Sequence, residues 1–260
     1  MQGVQLIQGD CLSVMPTLPD ASVDLILADL PYGTTQCAWD SVIPLEPLWE
    51  QYLRIAKPNA AIVLCAAQPF TSTLVASQPS LFRYEWIWEK GHATGHLNAK
   101  KQPLRAHESA VVFYRKQPTY NPQMTSGHDR KTATKRRDRT QVYGAQTFDA
   151  IAYDSTERYP RSVQFFSSDK QRSAFHPTQK PVAWMEFLVR TYTNPGMVVL
   201  DNTCGSGSSG VAAVRSGCSY IGIEKDRGEN GESLGYLDTA RRRIDEELMR
   251  LNDHVCVARR

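Results

Sequence analysis

Val23-Asp24-Leu25-Ile26-Leu27-Ala28, running straight into Asp29-Leu30-Pro31-Tyr32, is the stretch that decides the fold. A run rich in Val, Leu and Ile, with its one acid near the start, describes a strand covered on both faces, as in a parallel sheet between helices. The carboxyl ends of such strands open onto the crevice where α/β proteins bind ligands. The acid, proline and aromatic that follow therefore stand in a chemically useful position. Taken alone, the tetrapeptide equally describes a strand ending in a turn acid and a proline, with Tyr32 packed in the core.

Outward from this stretch, strands and helices alternate. Val4 to Gln8 reads as a strand ending in Gly9-Asp10, and Pro44 to Lys57 as a helix with Leu45, Leu48, Trp49, Tyr52, Leu53 and Ile55 along one face. Ala60 to Ala66 predicts another buried strand and Pro69 to Ser77 a helix. Phe82 to Trp88 and Ala110 to Arg115 predict strands of aromatic and β-branched residues. Between those two, Lys90 to His107 reads as a mobile, positively charged loop carrying Lys100, Lys101 and Arg105. Toward the C-terminus, Val182 to Tyr192, Ser208 to Ser216 and Leu234 to Leu251 read as helices, with Met197 to Leu200 and Ser219 to Ile223 as strands.

From Gln117 to Phe175 the apolar periodicity fades, and Gly127 to Thr140 carries Arg130, Lys131, Lys135, Arg136, Arg137 and Arg139. Such a run is usually a solvated loop. A structureless segment this long inside a compact domain nevertheless calls for a partner. The expected architecture is one α/β domain, a doubly wound, mostly parallel sheet built from residues 1–118 and 174–260, with a lobe inserted at 119–173.

A chain of 260 residues can bury a full core, and a formal net charge of +3 permits a nucleic-acid partner without demanding one. The six cysteines show neither a CxxC pair nor histidines at ligand spacing, so no metal site and no disulfide framework is expected. Reduced thiols in a cytoplasmic protein fit this pattern. The N-terminus lacks a basic region followed by an apolar one, and no run approaches the length of a membrane span.

The second half of the site is expected at Asp201, which ends a strand, and at Gly205-Ser206-Gly207-Ser208-Ser209-Gly210, which opens a helix. Glycines there admit a ligand close to the backbone, and a helix N-terminus offers unpaired N–H groups. Glu224 ends the following strand, where a carboxylate can hold both hydroxyls of a ribose. The glycine pattern alone also describes a nicotinamide dinucleotide enzyme. Two features favour another nucleoside cofactor: the residues Asp201 to Cys204 set the first glycine back from the strand, and a strand-end acid suits an amine or a sulfonium.

Together these residues carry a resemblance. Asp29-Leu30-Pro31-Tyr32 resembles the aspartate form of the D-P-P-Y motif of DNA amino-methyltransferases, and Asp201 to Ser208 resembles their S-adenosylmethionine motif. His176-Pro177-Thr178-Gln179-Lys180-Pro181 nearly repeats a motif of that family's β group, in which the order is circularly permuted and the catalytic motif precedes the cofactor motif. The likeness runs from about Ile7 to Glu224. Leu30 departs from the usual first proline, Thr203 stands where the family commonly has an aromatic, and Gly228 to Gly235 lengthens the link to the last helix.

The resemblance implies a Rossmann-like methyltransferase fold and transfer of a methyl group from S-adenosyl-L-methionine to the N6 amine of a flipped adenine in double-stranded DNA. Such enzymes occur in bacterial and phage restriction-modification systems. Asp29 and the Leu30 carbonyl would accept the amine's N–H groups, Pro31 would fix their direction, and Tyr32 would stack on the base. On the cofactor side, the resemblance implies Asp10 near the adenine and Glu224 at the ribose, with Cys11, Asp29 and Lys225 as further cofactor-binding residues. Asp201 with the Gly205 and Gly207 backbone would surround the methionine end, Lys180 would lie near its carboxylate, and Thr203, Ser206 and Ser208 would also bind the cofactor. Lys100, Lys101, Arg105, Lys131, Lys135, Arg136, Arg137 and Arg139 would face DNA phosphates. Family analogy suggests a homodimer. Cytosine-N4 methylation is the nearest alternative, although those enzymes tend to carry Ser at position 29. A nicotinamide oxidoreductase and a non-catalytic DNA-binding protein are the alternatives from other classes.

Overall fold

Strand β2 (Val23–Asp29) lies inside the sheet, and from Leu25 to Ala28 its side chains alternate between two cores. Leu25 and Leu27 join one cluster with Leu188, Val211 and Ile244, whereas Ile26 and Ala28 join the other with Leu48, Tyr52 and Leu74. That is the period-2 alternation of a strand buried on both faces, and it makes an uninterrupted apolar run necessary. The computed structural model describes residues 3–33, 40–133, 153–167, 179–227 and 232–258, the side chains of 254–258 excepted.

The strands in chain order are β1 (Val4–Gln8), β2, β3 (Ala56–Ala66), β4 (Phe82–Thr94), β5 (Arg105–Phe113), β6 (Lys131–Ala133), β7 (Tyr153–Ser155), β8 (Val163–Phe166), β9 (Val198–Asp201) and β10 (Ser219–Glu224). The helices are α1 (Cys11–Val14), α2 (Leu45–Ile55), α3 (Phe70–Ser77), α4 (Val182–Tyr192), α5 (Ser208–Arg215) and α6 (Tyr236–Ala258). The main sheet has the order β1-β10-β9-β2-β3-β5-β4-β8, and within it only β5 runs antiparallel to its neighbours. Helices α1 to α3 supply the core on one face; α4, α5 and α6 supply it on the other.

Two compact units result, Met1–Asn121 with Ser162–Arg260, and Pro122–Arg161. The smaller unit holds the antiparallel pair β6 and β7, with Arg130 Nε 2.7 Å from Asp154 Oδ1. Val163–Phe166, expected in the inserted lobe, instead extends the main sheet as β8 alongside β4.

Three boundaries differ from the sequence reading for local reasons. β3 begins at Ala56, directly after α2, and the breakers Pro58 and Asn59 are taken up where the β2–β3 register slips between Val23 and Leu25. The Lys90 to His107 loop is shortened at both ends, because β4 continues to Thr94 and β5 starts at Arg105, leaving Gly95 to Leu104 outside the strands with a short 3₁₀ turn at His96–Asn98. Helix α6 starts two residues later than expected and continues to Ala258. No helix among the described residues is long and apolar enough to cross a membrane.

Candidate active site

Strands β2 and β9 are neighbours, yet the chain leaves β2 toward α2 and β9 toward α5, on opposite faces of the sheet. This is the switch point at which an open α/β sheet forms its crevice. Both acids of the sequence reading end strands there. Asp29 and Asp201 line one cavity of about 420 Å³, and Thr203 Oγ1 donates to the Asp29 carbonyl at 3.1 Å.

Register explains what surrounds Asp29. Asp29 lies opposite Cys65, and Cys65 opposite Ala110, so their side chains share a face with Leu25 and Leu27. Two residues back along β5, Glu108 reaches the same edge, paired across to Trp88; Lys90, two residues beyond Trp88, forms an ion pair with it. Helix α4 covers this face through Trp184, Met185 and Leu188, and Lys180 just ahead of it is carried over the carboxylates. Lys180 Nζ lies 2.7 Å from each Asp29 oxygen and 3.0 Å from Glu108 Oε2. The Tyr32 hydroxyl donates to Asp29 Oδ1 at 2.7 Å and lies 3.2 Å from Lys180 Nζ, while its ring stacks on Phe70 at 5.5 Å.

The charges in this cluster hold one another ionised. Burial alone would raise the Glu108 carboxyl, but Lys180 and Lys90 bring it down to about 2. Burial would lower Lys180, yet Asp29, Tyr32 and Glu108 keep its ammonium well above the ordinary lysine range. Glu108 Oε2 is buried without a well-directed hydrogen bond, so Lys180 reaches it by charge rather than by a shaped contact.

On the other side of the crevice, Asp201 is buried and receives the Thr203 N–H at 3.0 Å and the Ser209 hydroxyl at 2.5 Å. Burial pushes its carboxyl up to about 7 against those two donors, with Asp29 and Glu224 adding to the rise. Glu224 Oε2 accepts the Gly205 N–H at 2.7 Å and Oε1 accepts from Lys225 N–H at 3.1 Å, so the carboxylate is fixed in direction with lone pairs to spare. From α6, Arg243 donates to the Ser206 carbonyl at 2.5 Å and braces the glycine turn.

The cavity brings together Asp10, Cys11, Asp29, Leu30, Pro31, Tyr32, Lys180, Asp201, Thr203, Gly205, Ser206, Ser208, Glu224 and Lys225. Asp10 serves twice, since it also caps α1 through Leu12 N–H at 2.9 Å. Gly207 does not line the cavity: its φ of +79° turns the chain into α5, and a Cβ there would stand 2.8 Å from Ala240 Cβ on α6. Lys180, expected beside a cofactor carboxylate, lines the cavity and is held there by Asp29 and Glu108.

Lys100, Lys101 and Arg105 are exposed at the far end of the β4–β5 hairpin, and Lys131 is exposed on β6. Lys135, Arg136, Arg137, Arg139 and His176 to Thr178 lie outside the described residues. The sequence reading missed Asn202, Asp226 and Tyr236 in the cavity wall. Asp226 pins the lengthened link to α6 by accepting from Tyr236 N–H at 2.7 Å and from the Ser233 hydroxyl at 2.9 Å. An acid two residues past a strand-end glutamate was the available signal for it.

Comparison with known proteins agrees with this geometry. Over 265 residues the chain is 27% identical to the DNA adenine methyltransferase YhdJ of Escherichia coli, covering 95% of this chain and 86% of that one. Among solved structures it resembles the M1.HpyAVI–SAM complex with a TM-score of 0.61 and 22% identity, over 92% of this chain and 99% of that one. It also resembles the cytosine-N4-specific PvuII DNA methyltransferase with a TM-score of 0.65 and 15% identity, over 94% and 86% of the two chains. Both solved structures share the mostly parallel Rossmann-like fold. Residues 23–230 match the family model described as DNA methylase, which spans N6 and N4 enzymes, and the chain belongs to that family.

Proposed function

We propose that the chain methylates the exocyclic N6 amine of adenine within a specific double-stranded DNA sequence, with S-adenosylmethionine as methyl donor. The site residues fit that donor. The cavity of about 420 Å³ is of ligand size. The fixed Glu224 carboxylate suits a pair of ribose hydroxyls, and the buried acid Asp201 suits the cationic methionine end. When bound, S-adenosylmethionine supplies an electrophilic methyl group on a sulfonium.

The rest of the chemistry belongs to the chain. An adenine amine is a poor nucleophile because its lone pair is delocalised into the ring. An acceptor for each N–H, the Asp29 carboxylate and the Leu30 carbonyl, draws the nitrogen toward tetrahedral geometry and frees that lone pair. Lys180 and the Tyr32 hydroxyl keep the Asp29 oxygens in place until the amine arrives. The amine is paired inside the duplex, so the base must leave the stack to reach this crevice.

The observation that carries the reading is the Asp29 carboxylate at the switch point, in one cavity with Asp201 and Glu224. Asp29 also favours adenine over cytosine, because the N4 enzymes of the resembling family tend to carry Ser there. The relative named as an adenine methyltransferase supports the same choice. The test is methyl transfer to DNA followed by digestion to nucleosides and mass spectrometry, with the parent and D29A compared. N6-methyladenine from the parent and a loss of at least about 100-fold in D29A, which still binds the donor, is expected. A folded, donor-binding D29A that works at the parent rate overturns the mechanism, and N4-methylcytosine as product overturns the choice of base.

A further inference from the structure

The β4–β5 hairpin runs past the sheet edge at which Asp29 stands. β4 is parallel to β8 and antiparallel to β5, and β5 is antiparallel to β3, so the Thr94 end of β4 and the Arg105 end of β5 lie at the carboxyl edge of β2 and β3. Glu108 and Lys90 root the hairpin in the site through the ion pairs with Lys180 and with each other. Beyond that root every residue from His96 to His107 is exposed. A two-stranded ribbon with both faces in water is marginally stable on its own, so extending one this far costs stability without adding core. The sequence of the ribbon gives the chemistry of whatever covers it. From Lys90 to His107 there is no Asp or Glu, while Lys100, Lys101 and Arg105, beyond the paired Lys90, are cationic and exposed. At the tip, Gly95 adopts φ +96° and sets up the 3₁₀ turn His96–Asn98, which holds Leu97 fully exposed.

A lone exposed leucine needs no explanation. This one crowns an acid-free arm that starts at the catalytic edge, and Leu104 on the same arm is also exposed. We propose that the arm enters duplex DNA and that Leu97 occupies the gap left in the base stack when the target base swings out, so that Leu97 is a positioning residue for base extrusion. The inference rests on the DNA methyltransferase reading above. Cationic ribbons fit the grooves of DNA, and apolar wedges such as leucine stabilise unstacked steps. The reach is adequate: from Glu108 to Arg105 the strand advances on the order of 10 Å, and the tip lies farther out still. An extruded base then lies at Asp29 while the arm holds the duplex it came from.

Because the Leu97 side chain is fully exposed, L97A leaves folding unchanged. The experiment uses the full chain, S-adenosylmethionine and two oligonucleotide duplexes carrying the methylated site once it has been mapped on genomic DNA. One duplex is fully paired, and the other has an abasic residue opposite the target base, so that no partner has to be broken. L97A is expected to slow methylation of the paired duplex at saturating DNA by at least about tenfold, and to fall within about twofold of the parent on the abasic duplex. Equal rates for parent and L97A on the paired duplex overturn the proposal, as does an equal slowing on both duplexes. A parent protein that methylates no DNA at all fails the functional reading itself and takes the wedge with it, a result told apart by the parent control.

Discussion

Lys180 Nζ stands 2.7 Å from both oxygens of Asp29, so a single ammonium spans the carboxylate proposed to grip the substrate, and the same ammonium lies 3.0 Å from Glu108. Two acids are thereby held close together by one buried cation. Removing it leaves like charges facing each other in a poorly solvated place. K180M is expected to destabilise the fold by about 2 to 4 kcal/mol in urea unfolding. Adding E108Q to K180M should return part of that loss, because the repulsion with Asp29 disappears. A K180M protein as stable as the parent would show that the cluster is solvated and the ion pair weak.

Asp201 makes stability and ligand affinity depend on pH in opposite senses. Its carboxyl, pushed up to about 7 by burial, stays protonated in the folded chain over a range where the unfolded chain has already lost the proton. Folding is therefore favoured by this group at low pH, and the contribution is lost as pH rises from about 4 to about 7. Relative to the parent, D201N should gain up to about 4 kcal/mol between pH 4 and pH 8. A cationic ligand prefers the ionised form, so parent affinity for S-adenosylmethionine should climb as pH rises toward about 7 and level off above it, and stay flat in D201N. Calorimetry across that range checks both slopes. Affinity independent of pH in the parent would remove Asp201 from the methionine end.

Gly207 separates packing from ligand approach. With φ at +79°, and with Ala240 Cβ 2.8 Å and Ala240 Cα 2.9 Å from where its own Cβ would be, it cannot become alanine without moving α6. G207A should lose about 2 kcal/mol or more in thermal unfolding. The G207A/A240G pair should recover only part of that, since the left-handed backbone strain and the crowding against the main chain of residue 240 remain. Full recovery would assign the whole cost to the two methyl groups.

The readability of this chain follows from how local each determinant is. Leu25, Ile26, Leu27 and Ala28 fill two cores at once, so burial on both faces is written in adjacent letters. Asp29 and Asp201 were legible for a related reason, because each directly ends such a run. The Lys180–Asp29–Glu108 cluster was not, since register across β3 and β5 brings Glu108 to the edge and no spacing in the sequence encodes that register. The arm read as a loop because Gly91, His92 and Gly95 have little strand preference; its pairing is inherited from the aromatic strand below it. Gly207 shows the limit of a glycine pattern, which marks a missing side chain without saying which neighbour needs the space.

Salt dependence distinguishes the two kinds of contact assigned to the arm. Lys100 and Lys101 are exposed beside the tip, with no acid between Lys90 and His107 to compete for them. Phosphate contacts release counterions, and each one lost makes the plot of log affinity against log salt shallower by about 0.9. K100A/K101A should therefore weaken DNA binding most at low salt, with a slope shallower by roughly 1 to 2, and an abasic residue opposite the target should not restore the loss. L97A should leave the slope as it is, because an apolar wedge displaces no counterion. Measuring affinity by fluorescence anisotropy from about 50 to 200 mM salt checks both statements. If the double lysine variant shifted every point equally, these side chains would be shaping the arm rather than meeting phosphate. The cationic face of the ribbon would then have to be Arg105 alone.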